Sequence, residues 1–122
     1  TSEKFWGFIN QFEQYVFYFA DKMTEGKYTG GYWKMDNGFF QLQGSNETTY
    51  LIENNYHQAN LNCLGFSLFI NIMALSHLSI ASFHRNDNYV NHLAVFFSEY
   101  CKTLLKMNKS LYDLNSIQIL LD

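Results

Sequence analysis

The segment LNCLGFSLFINIMALSHLSIASF, residues 61 to 83, contains no formally charged side chain. As a helix it would be long enough to cross a bilayer. It nevertheless carries polar groups that are costly to place in lipid, namely Asn62, Ser67, Asn71, Ser76, His77, Ser79 and Ser82. We therefore predict a central helix buried inside a globular domain. Because the chain starts with no signal-peptide pattern, we expect a cytoplasmic protein with no membrane contact.

Helical patterns flank this segment on both sides. Residues 2 to 25 repeat apolar side chains at i, i+3, i+4 and i+7, with Ser2 as the expected N-cap and Gly26 as the stop. After the break at Arg85 to Asn88, Asp87 can cap a helix from Tyr89 to Met107. Ser110 is the expected cap of a last short helix.

Between the first two helices the sequence indicates β-structure. Gly31 to Met35 and Phe39 to Gln43 are predicted strands, joined by the turn Asp36-Asn37-Gly38, since Asn and Gly tolerate positive φ. Thr48 to Glu53 is a predicted third strand, and Asn54 to Asn60 a polar connector. Apolar Phe40 and Leu42 alternate with glutamines, which predicts one buried face.

The element order α-βββ-ααα predicts an α+β fold. We expect an N-terminal helix, a three-stranded antiparallel meander, and three helices packed on the sheet. With 122 residues, 48% of them hydrophobic, residues 1–122 should form one domain with a substantial core.

The charge balance limits the possible partners. The net charge is −3, from 11 acidic and 8 basic residues. A general nucleic-acid binder would carry a basic face, so we expect no direct nucleic-acid binding. Eleven carboxylates are also too few for a protein that imitates DNA phosphates.

No motif in the sequence points to catalysis, a metal or a cofactor. His57, His77, His84 and His92 lack the spacing of a zinc site. Cys63 and Cys101 lie in apolar helical segments, where we expect inert reduced thiols, a disulfide being the alternative. Glu47 and Glu53 flank one strand and are best explained as solvated surface residues. An enzyme with a buried Cys–His or carboxylate site remains the alternative to a binding protein.

The most distinctive segment is Tyr28-Thr29-Gly30-Gly31-Tyr32-Trp33. Paired glycines let the backbone bend or approach another element closely, and the rings fill space. Tyr32 and Trp33 either serve the core and the sheet or expose one ring as an interaction anchor, since Trp and Tyr dominate binding hot spots.

This segment, followed by Asn37-Gly38-Phe39-Phe40, resembles the Tyr-x-Gly-Gly-x-Trp and Asn-Gly-Gly-Phe signature of the ArdB/KlcA antirestriction family. Gly65 and the apolar run into Ser76-His77-Leu78-Ser79 resemble a helix of the same family. The likeness covers about residues 5 to 122. The chain departs from the family by a shorter first hairpin, by one glycine lost before Phe39 and by the absence of a proline after the second strand.

The resemblance implies an α+β protein of plasmids, phages or other mobile elements that relieves type I restriction without charge mimicry of DNA. Its partner would be a type I restriction-modification enzyme or another host defence nuclease complex, such as a CRISPR effector. The family positions carried over are Gly30, Gly31, Trp33, Gly38, Phe39, Ser76, Ser79 and Asp122. Most of them look structural. Asp122 is either an exposed acidic contact or an ordinary solvated tail.

Overall fold

The α+β class is confirmed in a computed structural model, which describes residues 1–28 and 30–122. An N-terminal helix precedes two small antiparallel sheets, and four helices follow them. The elements are α1 (Ser2–Met23), β1 (Trp33–Asp36), β2 (Phe39–Leu42), β3 (Thr49–Asn54), β4 (His57–Asn62), α2 (Cys63–His84), α3 (Asn88–Met107), α4 (Lys109–Tyr112) and α5 (Leu114–Leu121).

Helix α2 is the centre of the hydrophobic core, as its uncharged sequence predicts. Its composition and length would allow it to cross a membrane, but 72% of its most apolar window is buried inside the protein. Asn62 caps it by accepting a hydrogen bond from the Gly65 amide at 2.8 Å. Helices α1 and α3 pack along it, and β2 lies against its first half.

Helix α1 follows the predicted amphipathic pattern. Phe8, Phe12, Val16, Phe19 and Met23 are buried and form the stripe that faces α2. The N-cap is Thr1 rather than the predicted Ser2, which is the first residue of the helix. The Thr1 hydroxyl accepts a hydrogen bond from the Lys4 amide at 3.3 Å.

The first predicted hairpin is confirmed, with β1 and β2 paired so that Trp33 lies opposite Leu42 and Asp36 opposite Phe39. Asn37 and Gly38 have φ values of 55° and 86°, the backbone of a two-residue type I′ turn. Phe40 and Leu42 are buried and Gln43 is exposed, as the alternation predicts, but Gln41 is half-buried and Phe39 is buried as well.

The outer edge of β2 is closed by side chains of α2 instead of a third strand. Asn71 accepts a hydrogen bond from the Phe40 amide at 2.8 Å and donates one to the Phe40 carbonyl at 2.6 Å. One turn earlier, the Ser67 hydroxyl accepts from the Leu42 amide at 3.0 Å. Cys63, one turn earlier again, donates to the Leu42 carbonyl at 3.3 Å.

The predicted three-stranded meander is therefore wrong. Strand β3 pairs with β4, in a separate two-stranded sheet that includes most of the segment predicted as a polar connector. The physical reason is that α2 already satisfies the edge of β2 that a third strand would have used. The second hairpin instead reverses at Asn55 and Tyr56 and packs against α5, where the Asn54 side-chain amide donates to the Leu120 carbonyl at 2.7 Å.

Tyr56 has an unfavourable backbone conformation at the tip of this hairpin. Its φ is 65° and its side chain is fully exposed. A left-handed conformation costs about 1–2 kcal/mol for a residue with a Cβ, and glycine avoids this cost. We expect Tyr56→Gly to raise the free energy of unfolding by about 0.5–1 kcal/mol after the greater unfolded-state entropy of glycine is subtracted.

Urea denaturation would measure this gain. Asn55→Gly, at the neighbouring position with φ of 52°, is the control and should gain less, because asparagine tolerates this conformation. Destabilisation by Tyr56→Gly would contradict the argument from backbone strain.

The C-terminal helices differ from the prediction in one respect. Asp87 caps α3 as expected, accepting from the Val90 amide at 3.2 Å. The last predicted helix is instead two helices, α4 and α5, and Ser110 lies inside α4. Asp113, with φ of 57°, ends α4 and caps α5 through the amide and hydroxyl of Ser116. Local hydrogen bonds of the Asp113 side chain therefore interrupt the helix that the apolar periodicity predicts.

Candidate interaction surface

Tyr32 and Trp33 have different environments, and only one of them is available to a partner. The Trp33 side chain is buried, at 6% exposure, and its indole N–H donates to the Tyr28 hydroxyl. Its ring lies 6.0 Å from that of Phe66 on α2. Tyr32, the residue before β1, is 68% exposed. The core explanation therefore applies to Trp33, and Tyr32 keeps the role of a candidate anchor.

The glycines of this region have structural reasons for being glycine. Gly30 has φ of 87°, in the left-handed region. A Cβ on Gly31 would lie 2.7 Å from Leu42 Cδ1, and one on Gly38 would lie 2.7 Å from Tyr100 Cε2. The neighbouring Phe39 is buried. These positions shape the hairpin and its approach to α3.

The remaining predicted positions lie elsewhere in the fold. Ser79 donates to the Ser76 carbonyl at 2.7 Å within α2, and the Ser79 carbonyl accepts from Asn91 of α3 at 2.8 Å. Both serines are half-buried. Asp122 is exposed directly after α5, two residues beyond the Leu120 carbonyl that accepts from the Asn54 side chain. The structure therefore does not bring Tyr32, the serines and Asp122 together in one site.

The two cysteines, Cys63 and Cys101, are buried and are not joined in a disulfide. Burial raises the pKa of the Cys101 thiol to about 12. Burial also raises the pKa of the Cys63 thiol, and a hydrogen bond with Ser67 offsets only part of this rise. Thiols held protonated near neutral pH are poor nucleophiles. Within residues 1–28 and 30–122, no group of three His, Cys, Asp or Glu side chains is arranged to hold a metal ion.

An open groove lies between α1 and α2. Its volume is about 540 Å³, and it is an open trough rather than an enclosed cavity. Its lining is mainly aromatic and aliphatic. The residues that line it are Gln14, Tyr15, Tyr18, Phe19, Lys22, His77, Ile80 and Ala81. Tyr18 and Ile80 are 58% and 57% exposed.

Sequence reasoning missed this groove. Tyr15, Tyr18 and Lys22 follow helical spacing along α1, but on a stripe beside the buried one. The sequence indicates the groove only through this second stripe of large side chains, which lies next to the buried stripe on the same helix. His77 belongs to the Ser76 to Ser79 segment that carries the family resemblance, so this segment borders the groove.

The orientation of His77 is fixed within the groove. Its Nδ1 lies 2.9 Å from the Met73 carbonyl, a contact that requires a proton on Nδ1. In the neutral ring this leaves Nε2 as a hydrogen-bond acceptor. The ring also packs on Phe19, with centroids 4.5 Å apart.

One end of the groove carries a lysine, Lys22. The Lys22 ammonium lies 5.6 Å from the Tyr18 ring centroid and 5.9 Å from that of Phe19, within the range of cation–π attraction. Among the residues that the structure describes, no carboxylate lines the groove. An apolar trough with one ammonium group at its end suits an apolar partner that carries negative charge.

Comparisons of the chain with protein-family models, with curated proteins and with solved structures find no match. The resemblance of residues 28–40 and 65–79 to the antirestriction family therefore stays a prediction.

Proposed function

We propose that this protein is a cytoplasmic antirestriction protein that inhibits a host type I restriction-modification enzyme by binding it. In this proposal it acts without catalysis, without a cofactor and without imitating DNA. The observation that carries a protein-binding role is the open apolar groove between α1 and α2, with Tyr18 and Ile80 exposed in it. Large exposed apolar patches on soluble proteins mark interaction sites.

The choice of target rests on the sequence resemblance. The Tyr28 to Phe40 segment supports it with the glycines and aromatics that shape the first hairpin. The segment from Gly65 to Ser79 supports it in α2, and its last turn borders the groove through His77. The net charge of −3 fits inhibition by protein contact better than imitation of DNA phosphates.

A CRISPR effector is the second candidate target, because the first hairpin is short. Strands β1 and β2 have four residues each and are joined by a two-residue turn. The family has a longer hairpin at this place. If the hairpin contacts the target, its loss of length favours a changed target on the same scaffold.

Plating of unmodified phage on cells with a type I restriction system tests the proposal. We expect expression of the protein to raise plating at least about ten-fold, equivalent to roughly 1.4 kcal/mol if treated as an equilibrium shift. Phage carrying the protective modification is the control and should plate equally with and without the protein.

No rise in plating, with folded and abundant protein present, would contradict antirestriction. Relief of CRISPR interference in the same cells would then select the second target.

A further inference from the structure

We propose that the α1–α2 groove binds an amphipathic helix of the target enzyme, whose polar edge carries carboxylates. This inference rests on the proposed function and specifies which chemistry of the target the protein recognises. The partner helix would pack along both α1 and α2.

The length of the groove along α1 matches about two turns of a helix. Its lining on α1 runs from Gln14 to Lys22, nine residues whose first and last Cα atoms lie about 12 Å apart at a rise of 1.5 Å per residue. Its lining on α2 runs from His77 to Ala81. A trough of this length between two helices accepts about two turns of an apolar helix face, the helix-in-groove mode of recognition.

The charges around the groove indicate an acidic partner. Lys22 occupies one end. At the other end, Arg85 follows the last residue of α2, and its guanidinium bonds the Gln11 side chain of α1 and lies 3.6 Å from the Asp87 carboxylate. Arg85 therefore already has an acidic partner, whereas the Lys22 ammonium faces the aromatic rings of Tyr18 and Phe19. A carboxylate at the edge of a partner helix would complement Lys22.

The same charges disfavour a second copy of the chain as the occupant. A twofold dimer would place the same surface on both sides of the contact. Since no described lining residue is a carboxylate, such a dimer would bring two Lys22 side chains to an apolar interface without an acidic partner from the groove.

Binding of a purified type I restriction enzyme to the labelled protein tests the inference. We expect Lys22→Glu and Ile80→Glu each to weaken binding at least about ten-fold, which corresponds to about 1.4 kcal/mol. Lys34→Glu repeats the charge reversal on exposed β1, outside the groove, and Phe96→Glu repeats the apolar-to-acidic change on exposed α3. We expect both control variants to bind within about two-fold of wild type.

A photo-reactive benzoylphenylalanine at Tyr18 identifies the occupant. We expect the cross-linked peptide to come from a helix of the enzyme with apolar residues on one face and Asp or Glu at its edge. A cross-link to a basic or extended segment, or to a second copy of the chain, would overturn the inference. Melting curves of all variants establish that they are folded before binding is compared.

The two proposals fail in different ways. If the wild-type protein neither binds the enzyme nor relieves restriction, the proposed function fails and the inference falls with it. If the wild type binds and relieves restriction while Lys22→Glu and Ile80→Glu behave like wild type, the groove inference alone is overturned.

Discussion

Replacing Asn71 by leucine is expected to lower the free energy of unfolding by about 3 kcal/mol. Asn71 is fully buried on α2, and its amide takes the place of a neighbouring strand for Phe40. Leucine has similar size but can bond neither the amide nor the carbonyl of Phe40. Each buried main-chain group left without a partner costs about 1–3 kcal/mol, and the added apolar contact offsets only part of this.

Urea denaturation followed by circular dichroism would measure the loss, as a lower midpoint at unchanged slope. Ser82→Ala is the matched control on the same helix. Ser82 is equally buried, but among the residues that the structure describes its hydroxyl donates only to the Leu78 and Ser79 carbonyls of α2 itself. We expect its replacement to cost less than about 1 kcal/mol. Equal effects of the two substitutions would show that Asn71 is not needed to close the edge of β2.

The second large effect is expected at Gly65, where alanine should lower the free energy of unfolding by about 2 kcal/mol. A Cβ there would lie 2.8 Å from the Tyr112 carbonyl oxygen and 3.2 Å from the Asn62 side-chain oxygen that caps α2. The first neighbour is backbone of α4 and cannot rotate away. Overpacking of this kind costs about 1–3 kcal/mol, and a weakened cap adds about 1 kcal/mol. The usual gain of about 1 kcal/mol for alanine over glycine in a helix offsets only part of the loss.

Gly7→Ala, the same substitution at another helical position, is expected to raise the free energy of unfolding instead of lowering it. Gly7 lies within α1, and nothing stands within 4 Å of the position its Cβ would take. We expect a gain of up to about 1 kcal/mol there. Thermal and urea unfolding of the two variants should therefore differ by about 3 kcal/mol. A gain at Gly65 would mean that α4 does not hold its close approach to α2.

These substitutions separate the structural part of the family resemblance from the part available to a partner. Gly31, Gly38, Gly65 and Trp33 have close neighbours that account for them. Tyr32 and His77 remain exposed, on different faces. The binding experiments on Lys22 and Ile80 therefore test surface chemistry without altering the positions that shape the fold.

Local sequence patterns were sufficient to predict the long helices and the first hairpin. The buried stripe of α1, the uncharged core helix α2, the Asp87 cap and the Asn37-Gly38 turn all depend on residues within a few positions of each other. Periodicity and turn chemistry are properties of short segments, so they can be predicted without knowing what the segments contact.

Contacts between distant segments decided the rest. Whether Thr49–Asn54 joined β2 or formed a second hairpin depended on Asn71, Ser67 and Cys63 occupying the edge of β2. These polar residues looked only like evidence against a membrane span until their partners were known. The α1–α2 groove likewise forms where α1 and α2 lie side by side, and neither helix sequence alone predicts it. Main-chain groups and exposed faces can be satisfied by many partners, and only the packed tertiary structure selects one of them.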